Sequence, residues 1–132
     1  MLQRLQRRLA ADQGGFTLIE LLVVIIIIGI LLAIAVPSYL GFKDKAEKNA
    51  AQANVRAAIP AAEAYYSDNG NYTSMTEVNL KSTYDQGLKL EKATGTATAY
   101  CLSAVEGNYR AKVTGPGGTI AVDKTSALAV CS

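Results

Sequence analysis

The sequence predicts an α+β protein: a long N-terminal helix, one half able to span a membrane and the other amphipathic, packed on a small antiparallel β-sheet. Three observations predict it. Leu21 to Val36 is apolar or Gly at every position, and Glu20 is the only charge between Phe16 and Gly41. An Ala-rich stretch with helical spacing follows. The second half then alternates polar and apolar residues between Gly-rich turns.

The apolar run comes first. A helix over Phe16–Gly41 rises roughly 35–40 Å, enough to cross a bilayer with some tilt. A buried core helix is the alternative, but a chain of 132 residues has too little interior to cover four consecutive Ile on every side of a helix. Gly29 and Pro37 make Gly29–Pro37 the weakest part of the helix on propensity grounds. The amphipathic half should run from residue 38 to about 68, with Tyr39, Phe42, Ala46, Ala50, Ala53, Ala57, Ala61 and Ala64 as one stripe. Different sides of this helix are expected to serve the chain's own sheet and a neighbouring subunit. Pro60 interrupts the pattern, and with Pro37 it favours a gently bent helix. Ser67-Asp68-Asn69-Gly70 are turn formers that should end it.

The head, 69–132, should open with a loop through Asn71, Tyr72, Thr73 and Ser74, in a segment of head loops spanning 69–86. Strands are expected at Gly87–Lys92, Thr96–Val105, Tyr109–Thr114 and Thr119–Asp123. Glu106-Gly107-Asn108 and Gly115-Pro116-Gly117-Gly118 supply the turns between the later ones. In Tyr109-Arg110-Ala111-Lys112-Val113 the apolar residues share one face, expected to lie on the helix. Packing of the head accounts for most of the seven Tyr.

The net charge of +2 belongs entirely to the first fifteen residues, where Arg4, Arg7 and Arg8 stand against Asp12; acidic and basic residues balance in the rest. Three Arg ahead of an apolar span orient the N-terminus toward the cytoplasm and send the head outside. The balanced remainder gives no ground for a specific nucleic-acid partner. Both cysteines, Cys101 and Cys131, lie in the exported part, where disulfides persist. A disulfide is the favoured state; two free thiols or a metal pair are the alternatives. Two thiolates without any His do not complete a closed zinc site, so no metal and no cofactor are expected. The absence of His also removes Ser-His-Asp and Cys-His catalysis, and Gly115-Pro116-Gly117-Gly118 lacks the Lys and helix of a phosphate-binding loop. The chain is not expected to be an enzyme.

The sharpest signal is Gly14-Gly15-Phe16-Thr17-Leu18-Ile19-Glu20-Leu21-Leu22. An ordinary secretory signal places its small residues after the apolar region; here they precede it. Cutting after Gly15 removes only the charged leader, 1–15, and leaves the span, 16–37, on the mature protein. A carboxylate inside such a span costs a few kcal/mol, on the order of 3, unless it finds a partner. Glu20 complementing the positive end of its own helix is one reading; pairing with another chain's amine is the other.

These residues resemble the type IV pilin precursors, related to the pseudopilins of type II secretion. The match is specific over Gly14–Tyr39 and architectural beyond it. The resemblance implies that a prepilin peptidase cuts between Gly15 and Phe16, that Phe16 becomes an N-methylated mature terminus, and that Glu20 pairs with Phe16 of another subunit during assembly. Gly29 and Pro37 fall where many members have helix-weakening residues. The implied role is a structural subunit of a type IV pilus, a homo-oligomeric filament. The subunit would be stored single-pass in the bacterial inner membrane, handled there by the pilus assembly machinery, and then displayed on the cell surface for adhesion or motility. The alternative is a pseudopilin or minor pilin of a secretion or DNA-uptake system. The terminal cysteine pair favours the pilus subunit.

Overall fold

The computed structural model describes residues 15–132. Arg4, Arg7, Arg8, Asp12 and Gly14, on which the orientation and leader expectations rest, lie outside the described residues. The chain divides into two compact units, one ending at Leu40 and one spanning Gly41–Ser132. A single helix, α1 (Leu18–Asn69), belongs to both.

In the first unit α1 is apolar on all sides. Ile25, Ile26, Ile27 and Ile28 point in four directions, and each is close to half exposed. Among the described residues no other element of this unit covers them, so the segment's apolar surface is left to its surroundings. Among the described residues α1 is the helix long and apolar enough to cross a membrane. Pro37 does not split it. The carbonyl that Pro37 leaves without its helical donor lies one turn back, and Ser38 adds a side-chain bond to the Ile34 carbonyl at 3.4 Å.

In the second unit α1 becomes one-sided. Ala51, Val55, Ala58, Ala62 and Tyr65 are buried, spaced 4, 3, 4 and 3 residues apart. This corrects the expected stripe. Ala46, Ala53 and Ala57 are exposed, Ala50 and Ala64 only half-buried, and of that series only Ala61 is buried. With Ala on nearly every side, spacing alone does not say which row faces the sheet; Val55 and Tyr65, the larger side chains, mark it. Asn69 ends the helix by donating its side-chain amide to the Tyr65 carbonyl at 2.9 Å, and Gly70 follows with a φ of 73°.

The sheet has four antiparallel strands in the order β1-β2-β3-β4: β1 Lys92–Gly95, β2 Tyr100–Glu106, β3 Tyr109–Gly115 and β4 Ala121–Lys124. Leu102 pairs with Val113 and with Ala93, Ala104 with Ala111, and all five side chains are buried with the alanines of α1. Small residues on the helix let the sheet approach closely enough for these aliphatic side chains to fill the gap.

Three local expectations are corrected. The strand expected at Gly87–Lys92 is an irregular segment that reaches the ladder only at its end, where the Glu91 amide donates to the Ser103 carbonyl at 2.8 Å. Leu88 and Leu90 are buried and produce a strand-like alternation without a strand to pair with. The strand expected at Thr96–Val105 starts at Tyr100, because Thr96–Ala99 is a turn closed by the Thr96 amide on the Ala99 carbonyl at 2.7 Å; the last strand likewise starts at Ala121 rather than Thr119. The loops expected over 69–86 contain a second helix, α2 (Glu77–Thr83), capped by Thr76 and held by buried Leu80. One apolar anchor in seven residues leaves no periodicity to read.

Two glycines are needed where they stand. Gly107 turns the β2–β3 hairpin at a φ of 54°, under the Glu47 side chain. Gly115 pairs with Tyr100 across β2–β3, and a Cβ there would enter the Tyr100 ring. Tyr100 also meets Tyr72 edge-on at 4.9 Å between ring centroids. Burial raises the Tyr72 hydroxyl above its ordinary range, with its bond to Glu63 adding to the effect.

The C-terminal residues cross the outer face of the sheet. Cys131 is cross-linked to Cys101 of β2, with 5.7 Å between Cα atoms. Nearer β4, Arg110 forks its guanidinium onto both oxygens of Glu91 at 2.7 Å and donates to the carbonyls of Thr125 and Leu128. The bonds from Arg110 hold the Glu91 carboxyl below its ordinary value, outweighing burial, which pushes the other way.

Two outcomes follow. Leu102→Ala should lower the stability of the head by about 2–5 kcal/mol in chemical denaturation, since a fully buried side chain leaves a cavity. Glu91 is depressed in the fold, so its contribution is present above its ordinary value of 4.5 and is lost as pH falls through the lower folded value. Thermal melts from pH 7 down to pH 3 should show an acid-side loss that Glu91→Gln reduces; an unchanged acid limb would refute that assignment.

Candidate functional site

The residues that carry the sequence motif sit at the start of α1. Gly15, Phe16 and Thr17 are non-helical and exposed. Phe16 retains 86% of its accessible surface, and a Cβ added at Gly15 would meet no atom. Among the described residues nothing packs on either of them.

Thr17 explains why the helix begins where it does. Its hydroxyl accepts from the Glu20 backbone amide at 3.2 Å, while its carbonyl accepts from Leu21 at 3.2 Å. Thr17 is the N-cap and Glu20 the third helical residue, the Thr-x-x-Glu spacing of a capping box. Sequence reasoning passed over Thr17, although that four-residue pattern ahead of an apolar run is its signal. The cap satisfies one of the free amides at the end of the apolar helix. Glu20 in the first turn also lies near the positive end of the helix dipole.

The Glu20 side chain is exposed and makes no hydrogen bond or ion pair among the described residues. Its backbone amide is satisfied by Thr17, and its carboxylate has no partner among the described residues. Gly29 and Pro37 both lie within α1 with open space around them. Cys101 and Cys131 belong to the second unit and form their cross-link within the head. The structure thus brings Gly15, Phe16, Thr17 and Glu20 together within about one helical turn.

Comparison with known proteins matches residues 11–36 to the family described as Prokaryotic N-terminal methylation motif. The type IV wide pilus major component of Thermus thermophilus is 37% identical over 94 residues, 68% of this chain and 71% of that protein. The type II secretion system core protein G of Escherichia coli is 40% identical over 70 residues, 53% of this chain. The type IV major pilin protein of Myxococcus xanthus is 41% identical over 59 residues, 45% of this chain and 27% of that protein. The matched part spans about half the length of the secretion-system relatives, 48% in the Escherichia coli protein. No solved structure matches the chain significantly. With the methylation motif at its N-terminus, a long apolar helix leading into a helix-on-sheet head, and a pilus component aligned over most of both sequences, the chain belongs to the family of type IV pilins and their type II secretion relatives.

Proposed function

We propose that this chain is a structural, non-catalytic subunit of a type IV pilus, stored in the membrane and polymerised through α1. One observation carries the reading: an N-capped helix, apolar on every side, whose only charge before Gly41 is a Glu20 carboxylate with no partner among the described residues. Cleavage after Gly15 by a prepilin peptidase frees the Phe16 amine. Before that cut, Arg4, Arg7 and Arg8 orient the N-terminal end toward the cytoplasm, and the head crosses to where a disulfide persists.

Assembly then exchanges lipid for neighbouring helices around the same apolar surface. Hydrocarbon contacts are alike at many registers and do not select one. A Glu20 carboxylate reaching the Phe16 amine of another subunit does select one. At about 4 Å and an effective dielectric near 20 the attraction is around 4 kcal/mol before desolvation. A mis-registered helix would leave both charges unpaired in an apolar surrounding. A pseudopilin of a secretion or DNA-uptake system would use the same chemistry. The disulfide-closed head and the extent of the match to a pilus component favour the pilus subunit.

Glu20→Ala should be cleaved normally yet yield no filament, read by mass spectrometry of the membrane fraction and of material sheared from the cells. Normal filaments from that variant would remove the pairing from the mechanism. Gly15→Leu should accumulate as uncleaved precursor in the membrane. In the parent protein, sheared material should begin at N-methylated Phe16; cleaved protein confined to the envelope would favour the pseudopilin reading.

A further inference from the structure

α1 ends at the chain's single Asn-Gly pair, Asn69-Gly70. Asparagine before glycine is the pair most prone to lose its side-chain amide, because glycine carries no side chain to keep its backbone nitrogen off the asparagine Cγ. Both residues are exposed. In that reaction the Gly70 nitrogen gives up its proton to solvent base, attacks Asn69 Cγ and expels Nδ2 as ammonia. Water then opens the cyclic imide at either carbonyl and leaves aspartate or isoaspartate. No oxidant or enzyme is required.

The end of the helix ties up each participant. Gly70 directs its N–H to the Tyr66 carbonyl at 2.7 Å, so the attacking nitrogen is engaged as a donor and keeps its proton. Asn69 directs Nδ2 one turn back to the Tyr65 carbonyl at 2.9 Å, which turns the side chain toward the preceding turn and away from the Gly70 nitrogen. The Asn69 carbonyl accepts from the Asn71 side chain at 3.3 Å, and Gly70 closes the cap with a φ of 73°. Ring closure requires the bonds to Tyr65 and Tyr66 to break together, which means that the last turn of α1 must open.

We propose that Asn69-Gly70 is a latent modification site that the fold keeps closed, and that Asn69 converts only through opening of the last turn of α1. The conversion changes the helix end. Aspartate at position 69 lacks the donor that reaches the Tyr65 carbonyl and sets a second carboxylate beside Asp68 at the negative end of the helix. Isoaspartate adds a methylene to the main chain just ahead of Tyr72, which is buried and whose amide donates to the Thr96 carbonyl at 3.1 Å. Either product lacks the amide that formed the cap, so the change is permanent once made.

The test follows Asn69 in the full chain by peptide mass spectrometry during incubation in mildly alkaline buffer, folded in detergent micelles and unfolded in guanidinium chloride. The folded chain should convert Asn69 about tenfold or more slowly than the unfolded chain, since only the opened fraction reacts. Ser67 is exposed in the same last turn and tunes the helix without changing either reacting residue. Folded Ser67→Gly should convert about fivefold faster than folded Ser67→Ala, the ratio set by their helix propensities. Each folded rate is divided by the rate of the same variant unfolded, which removes any intrinsic effect of the residue at 67. Equal rates in the folded and unfolded parent chain overturn the proposal. Normalised rates that are the same for the two Ser67 variants overturn it as well, because conversion would then not pass through the helix end.

Discussion

Backbone amides and carbonyls placed in an apolar surrounding have no partner except each other, and that constraint governs this protein from the start of α1. α1 answers it with an unbroken helical ladder from Leu18 onward. The weak points of such a ladder are its end and its interruptions. The end is closed by Thr17, and Ser38 contributes an extra bond next to Pro37. The Thr17 cap therefore sets where the helix starts, and Gly15 and Phe16 stay outside it.

Beyond Gly41 the same helix meets a different demand. The sheet must come close, and the row Ala51, Val55, Ala58, Ala62 supplies a shallow surface for Leu102, Ala104, Ala111 and Val113. Polar contacts fix how the hairpin meets the helix: Asn54 donates to Glu106 at 3.2 Å, and Glu47 accepts from the turn at Asn108. On the opposite face of the sheet the final residues are secured twice, covalently at Cys131 and by the Arg110 fork onto Glu91 and the carbonyls of Thr125 and Leu128. A short head of this size gains from such fastening because its core is built from few large side chains.

The two demands explain a division of labour along one element. A helix apolar all round is equally content in lipid and among other apolar helices, which is what the proposed passage from membrane to filament requires. Under the proposed function, Glu20 supplies what hydrocarbon lacks, a preference for one register over another.

Much of this was legible in the residues alone, for reasons that are local. The span is a property of composition, visible in the four Ile and the isolation of Glu20. The Gly15-Phe16 junction is a contiguous string, and the β2–β3 hairpin is announced by alternation on either side of Gly107. Thr17 was legible too, through its spacing from Glu20. What the residues did not disclose depends on partners distant in sequence. Leu88 and Leu90 alternate like a strand but have no ladder to join; α2 is held by Leu80 and a cap rather than by a repeating pattern; and an alanine-rich helix offers several equivalent rows until a sheet selects one. Arg110 reads as an ordinary outward charge in β3 until the fold brings Glu91 and the C-terminal carbonyls around it. The sequence by itself determined the elements whose cause lies within a few residues: the apolar helix, the capped start that precedes it and the hairpin turns. Only the tertiary structure decided which side of α1 is buried and which charges are left outward, because burial and ion pairing are set by what the rest of the chain brings to each side.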